Sequence, residues 1–136
     1  MTHQLVQSRA ITALVIGMVF LVQGCASAQN VSNSSTDGIS QLEISLQEQG
    51  IFVLPRGPAN LDIPAEQSSR LVLDSQEVLN VFEFESDRRA SGQAHAFAGA
   101  HPGHDVYLKG RLVAVRQSSG DTGLAQTLRS ILGEAL

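Results

Sequence analysis

Cysteine is almost absent from this chain, and so are the short motifs of several enzyme classes. One cysteine occurs in 136 residues, so no intrachain disulfide can form and the fold must rest on packing. The sequence contains no Gly-x-Ser-x-Gly elbow, no phosphate-binding glycine loop and no Cys-x-x-Cys pair. We therefore expect a protein that is not an enzyme.

Charge and hydrophobic runs are also limited. The formal net charge is −4, and a mildly acidic chain has no electrostatic reason to bind nucleic acid or anionic lipid headgroups. The apolar, uncharged run over residues 11–22 is shorter than the roughly 20 residues that a helix needs to span a bilayer. We expect no nucleic-acid partner and no ordinary transmembrane helix.

Residues 1–24 have the three parts of an export signal. A polar start with Arg9 precedes the apolar run, and small Gly24 stands before Cys25. The segment Leu21-Val22-Gln23-Gly24-Cys25 resembles the lipobox of bacterial lipoproteins, in which signal peptidase II cuts before a cysteine that carries diacylglycerol. The alternative is cleavage after Ala26-Ser27-Ala28, an ordinary Ala-x-Ala site.

The lipobox resemblance implies a lipid anchor on Cys25 and no other cofactor. Two or three acyl chains anchor a protein stably where one does not. Residues 25–37 are then the lipidated cysteine and a flexible tether, because this small, polar segment cannot bury enough to order itself. The resemblance places the protein on the periplasmic side of a cell membrane, and Ala26 favours the outer membrane in a diderm host.

Residues 38–136 read as one globular α+β domain. The order of elements is α-β-β-β-α-β-β-α, with Asp37, Ser86 or Asp87, and Asp121 as helix caps and Lys109-Gly110 as a hairpin turn. Such an order predicts a small antiparallel sheet of four to five strands with helices packed on one face. The Phe82/Phe84 face should then meet the apolar stripe of residues 124–132 in the core.

The stretch from Val78 to Gly133 resembles a group of small, poorly characterised bacterial lipoproteins and envelope proteins. The shared residues are structural ones, and the resemblance implies a fold and a location but no activity. The segments that carry it are Val81-Phe82-Glu83-Phe84, His104-Asp105-Val106-Tyr107, Lys109-Gly110-Arg111-Leu112-Val113 and Ile131-Leu132-Gly133.

Three histidines form the sharpest cluster of candidate ligands. His95, His101 and His104 lie within ten residues and could supply neutral imidazoles to zinc or copper. Their spacing matches no compact metal motif, and the alternative is one polar helix histidine with two loop histidines. We therefore assign no metal site from the sequence, and a metal-handling or accessory protein is the alternative function.

Two other patterns have simpler explanations than catalysis. Asp121-Thr122-Gly123 matches the tripeptide of aspartic proteases, but a helix N-cap accounts for Asp121. Glu83 and Glu85 alternate on one strand and could do acid–base chemistry. The simpler interpretation is that both glutamates are solvated on an uncovered face of the sheet. Their charges would then discourage the sheet edge from pairing with a strand of another molecule.

The remaining candidate is an apolar surface on the sheet. If helices cover only one face, apolar side chains on the other would be exposed and would mark a site for a partner or ligand; these are Leu79, Val81, Tyr107, Val113 and Val115. The alternative is that the loop over residues 55–69 closes over them. The sequence thus predicts a membrane-anchored, non-catalytic module that binds another envelope protein or a small apolar ligand.

Overall fold

The computed structural model describes residues 37–136, which form one compact unit. Five strands make a single antiparallel sheet in the order β1-β2-β3-β5-β4. The strands are β1 Val53–Pro55, β2 Gln67–Leu73, β3 Val78–Glu83, β4 His104–Lys109 and β5 Leu112–Gln117, and the helices are α1 Gly38–Glu48, α2 Asp87–Ala100 and α3 Thr122–Leu132. The predicted α+β class and element order are confirmed.

Each helix begins at the cap that the sequence indicates. The Asp37 carboxylate accepts a hydrogen bond from the backbone N–H of Ser40 at 2.6 Å, and the Ser86 hydroxyl accepts one from Arg89 at 3.3 Å. Asp121 accepts two backbone N–H groups of α3 at 2.9 and 3.1 Å. These bonds satisfy donors that have no partner inside the helix, which fixes where each helix starts.

The β4–β5 hairpin turns one residue later than the sequence predicts. Lys109 pairs with Leu112, so Gly110 and Arg111 form the two-residue loop. Gly110 has a φ of 58°, and this left-handed conformation is the one that glycine adopts without a steric cost. The shift sets the register of the hairpin and places Asp105 opposite Arg116.

The helices cover both faces of the sheet, which corrects the prediction of helices on one face. One core cluster joins α1 and α3 to Leu79, Val81 and the same-facing residues of the other strands. A second cluster joins α2 to Phe82 and Phe84, with the loop over residues 59–65 packed against it. Since neighbouring residues of a strand point to opposite faces, Phe82 cannot meet the apolar stripe of α3.

Both edges of the sheet are partly closed to further pairing. The backbone groups of Phe52 and Arg56 form hydrogen bonds on the side of β2. The backbone of Pro55 therefore points to the open edge of the sheet, where proline has no N–H that could pair with another strand. At the other edge, Ala135 bridges to Tyr107 and the N–H of Leu136 donates to Val106 at 2.9 Å. Within residues 37–136, none of the helices has the length and apolar character needed to cross a membrane.

Candidate functional site

The apolar face that the sequence predicts as a partner surface is buried. All five residues are in the core, with Tyr107 the most exposed at 3%; they are Leu79, Val81, Tyr107, Val113 and Val115. They also lie on two faces rather than one, because Val113 and Val115 pack with α2 and the other three with α1 and α3. Leu61 and Ile63 close over the Val113 side, as the alternative interpretation held.

Glu83 is not the solvated outer residue that the alternation suggests. It is buried, and its carboxylate accepts the backbone N–H of Gly38 at 2.9 Å and a hydrogen bond from Arg111 at 3.2 Å. Its role is therefore to fasten the start of α1 to the sheet. Glu85 is exposed and pairs with Arg89 at 3.1 Å, which is a surface ion pair.

A cleft of about 310 Å³ lies between α1, α3 and the β4–β5 hairpin. Its lining combines apolar residues with three polar ones and consists of Gly38, Gln41, Leu42, Ser45, Lys109, Leu112, Ile131 and Leu132. Lys109 caps the end of α3 by donating to the carbonyl oxygen of Ile131 at 2.8 Å. The cleft thus opens beside the first turn of α1, close to where the described chain begins.

Solvent reaches only part of the apolar lining of this cleft. The leucines from α1, β5 and α3 are buried by the fold itself. Ile44 is not part of the lining, but it is 46% exposed on α1, three residues after Gln41. A molecule that fills the cleft alone would gain little apolar burial, whereas one that also covers Ile44 would gain more.

A buried arginine holds the opposite end of the β4–β5 hairpin. Arg116 is 3% exposed and contacts the carboxylates of Asp105 and Glu77, each at 2.9 Å. Ser119 also bonds to Glu77, and Ser118 donates to Asp105 at 2.7 Å. This network joins β4, β5, the β2–β3 turn and the loop before α3, so we assign it a structural role.

Tyr107 packs beside this network. Burial raises the pKa of its phenol, and the nearby Arg116 guanidinium opposes that shift only in part. Tyr107 therefore stays neutral at physiological pH and acts as a core residue. Sequence reasoning did not find the network, because the pairing of Asp105 with Arg116 depends on the hairpin register. It named Tyr107 only as part of an exposed partner face, and that prediction was wrong.

The three candidate histidines do not form one ligand set. The His95 ring nitrogen Nδ1 is 2.8 Å from the carbonyl oxygen of Ser91 in its own helix. The rings of His101 and His104 lie together, with centroids 5.7 Å apart. Across residues 37–136, no group of three or more histidine, cysteine or acidic side chains is placed to hold a metal ion.

Cys25, the signal segment and the predicted tether up to residue 36 fall outside the described residues, so lipidation stays a prediction. Asp37, the last residue of the predicted tether, is the N-cap of α1. Asp121 is confirmed as the cap of α3, the simpler of its two interpretations. No family model, curated protein or solved structure matches this chain.

Proposed function

We propose that this protein is a lipid-anchored, non-catalytic binding module of the bacterial cell envelope. One observation carries the proposal: Cys25 ends the lipobox-like segment Leu21-Val22-Gln23-Gly24-Cys25, directly behind an apolar run. The lipid would hold the domain on the periplasmic side of a membrane, and on the outer membrane in a diderm host. The polar residues 26–36 would separate the anchor from the compact unit.

The partner is another envelope protein, and its contact surface is the α1–α3 cleft together with Ile44. Both faces of the sheet are covered, so a small apolar ligand has no open sheet surface to bind. A protein segment laid along α1 would cover Gln41, Ser45 and the 46% exposed Ile44 at once. The cleft also opens beside the first turn of α1, on the side of the chain that leads to the anchor.

Metabolic labelling tests the anchor. Cells that express the full-length protein with radiolabelled palmitate should give a labelled band, and Cys25→Ala should abolish it. Fractionation should place the wild-type protein in membranes and the variant in the soluble periplasm. A variant that still incorporates palmitate would show that the lipid is not on Cys25.

In-cell photo-cross-linking tests the contact surface. A photoreactive residue at Gln41 should capture one dominant envelope protein, and the same residue at Ala96, on α2 and the opposite face of the sheet, should not. Ile44→Asp should abolish the cross-link. Phe52→Asp is the matched control, because Phe52 is 64% exposed but lies at the β1 edge.

The two experiments separate the anchor from the partner. Equal capture from Gln41 and Ala96, or loss of capture in both Asp variants, would overturn the assigned surface while leaving the anchor intact. Circular dichroism of both variants shows whether a loss of capture comes from unfolding.

A further inference from the structure

Two of the three histidines form a packed pair at the junction of α2 and β4. The ring centroids of His101 and His104 are 5.7 Å apart and their planes are perpendicular. Both rings pack on Phe97, His101 stacked at 4.1 Å and His104 edge-on at 5.5 Å. The phenyl ring thus fixes the planes of both imidazoles, although His101 is exposed to solvent.

His104 carries a buried polar atom without a partner. Its Nδ1 is shielded from solvent and is the one buried side-chain nitrogen or oxygen in the described part of the chain without a hydrogen bond. Such atoms are rare, because a buried polar atom without a partner has lost its hydrogen bonds to water and gained none in return. The unpaired Nδ1 of His104 lies in a ring that contacts the imidazole of His101, and a bound ion would give this nitrogen a partner.

His101 has the hydrogen bond that a metal ligand needs. Its Nδ1 lies 3.2 Å from the carbonyl oxygen of Phe97, and a carbonyl can only accept, so in the neutral ring Nδ1 carries the proton. Nε2 then carries the free lone pair. Metal-binding histidines almost always donate their second nitrogen in this way, which orients the ring and raises its basicity.

The separation of the rings fits a shared ion. With metal–nitrogen bonds of about 2.0 to 2.1 Å and about 1.1 Å from a ring nitrogen to the ring centre, two imidazoles on one ion have centroids about 4.5 to 6.3 Å apart. The observed 5.7 Å lies within this range. His95 takes no part, because no third histidine, cysteine or acidic side chain of residues 37–136 is placed with this pair to hold an ion.

We infer that His101 and His104 bind one divalent late transition metal ion. Copper(II) should bind most tightly, as it does at most nitrogen sites. The protein supplies two ligands, so water or another molecule completes the coordination shell. The pair packs on the α2 side of the sheet, away from the α1–α3 cleft, so this inference goes beyond the proposed function and does not rest on it.

Copper titration followed by electron paramagnetic resonance tests the pair. The full-length chain carries Cys25→Ser and His3→Ala, which remove its single thiol and its fourth histidine. We expect one equivalent of copper with nitrogen hyperfine structure. Both His101→Phe and His104→Phe keep an aromatic ring against Phe97. Each should weaken copper binding about tenfold or more, because even the loss of a residue that only hydrogen-bonds to a metal ligand lowers metal affinity by about this factor.

His95→Phe is the matched control and should leave the affinity unchanged. Affinity should fall as the pH is lowered, since protons and metal compete for the same nitrogens. No bound copper at 100-fold the protein concentration, or equal losses in all three variants, would overturn the inference. In that case an N–H···π contact with Phe97 would be the explanation of the unpaired atom.

Discussion

Replacement of Arg116 by Met is the sharpest test of how the hairpin is held. Met fills much of the space of the arginine stem but removes the charge, so the carboxylates of Asp105 and Glu77 lose their common partner. Removing one member of a buried ion pair costs about 3 to 5 kcal/mol. The Glu77 and Asp105 side chains are 19% and 27% exposed, so water can solvate them in part. We therefore expect a loss of about 2 to 4 kcal/mol.

Urea denaturation followed by circular dichroism measures this loss. For a domain of this size, 1 kcal/mol corresponds to about 4 to 8 °C in Tm, so Tm should fall by about 8 to 30 °C. The urea m-value should not change, because the surface exposed on unfolding is the same. Arg116→Lys keeps the charge but loses the planar fork, so its stability should lie between those of Met and wild type.

Arg89→Met is the matched control. Arg89 also pairs with a glutamate, at 3.1 Å, but both side chains are half exposed. Exposed pairs contribute about 0 to 1 kcal/mol, so this variant should change the stability by less than about 1 kcal/mol. If Arg116→Met costs no more than Arg89→Met, the network does not stabilise the fold and our reasoning fails.

Four further changes probe the caps, turns and core. Hydrogen bonds from Ser40 lower the pKa of the Asp37 carboxyl group in the folded protein. The stability that this carboxylate adds is therefore present above about pH 4 and is lost as the pH falls through the lowered pKa. Asp37→Ala should cost about 1 kcal/mol of unfolding free energy at pH 7 and much less at pH 2. Gln76 has a φ of 64°, so Gln76→Gly should add about 0.5 to 1 kcal/mol in urea denaturation, and a loss would contradict the strain. Burial raises the pKa of Tyr107, so the wild type should lose stability as the pH rises above about 10, whereas Tyr107→Phe should not show this loss. Val113→Asp should unfold the domain, and a folded variant that lost only partner capture would restore the sheet as the binding face.

The order of elements could be predicted because local chemistry determines it. Asp37 and Asp121 cap helices through bonds to residues two or three positions away, and the apolar spacing of α3 is a property of one segment. The strand over residues 78–83 lies where the sequence predicts one, although it ends before Phe84 and is buried on both faces. Each of these signals lies within a dozen residues, and each is confirmed.

The candidate binding surface could not be predicted because it depends on which face each helix covers. Alternation in β3 shows that Leu79 and Phe82 point to opposite faces, but both faces are apolar, and nothing local says which helix packs on which. The five residues chosen as a partner face were therefore buried on both sides. The α1–α3 cleft joins residues from the first helix, the hairpin and the last helix, so it exists only in the assembled fold.

The sequence by itself determined the α+β class, the element order, the helix caps and the lipobox resemblance at Cys25, since each rests on contiguous residues. Only the tertiary structure decided the two-sided packing of the sheet, the burial of Glu83 and the pairing of Arg116 with Asp105. It also brought His101 and His104 together while leaving His95 on its own helix. The reason is physical: a one-residue change in a turn, or a helix placed on the other face, changes every long-range contact without changing any local preference.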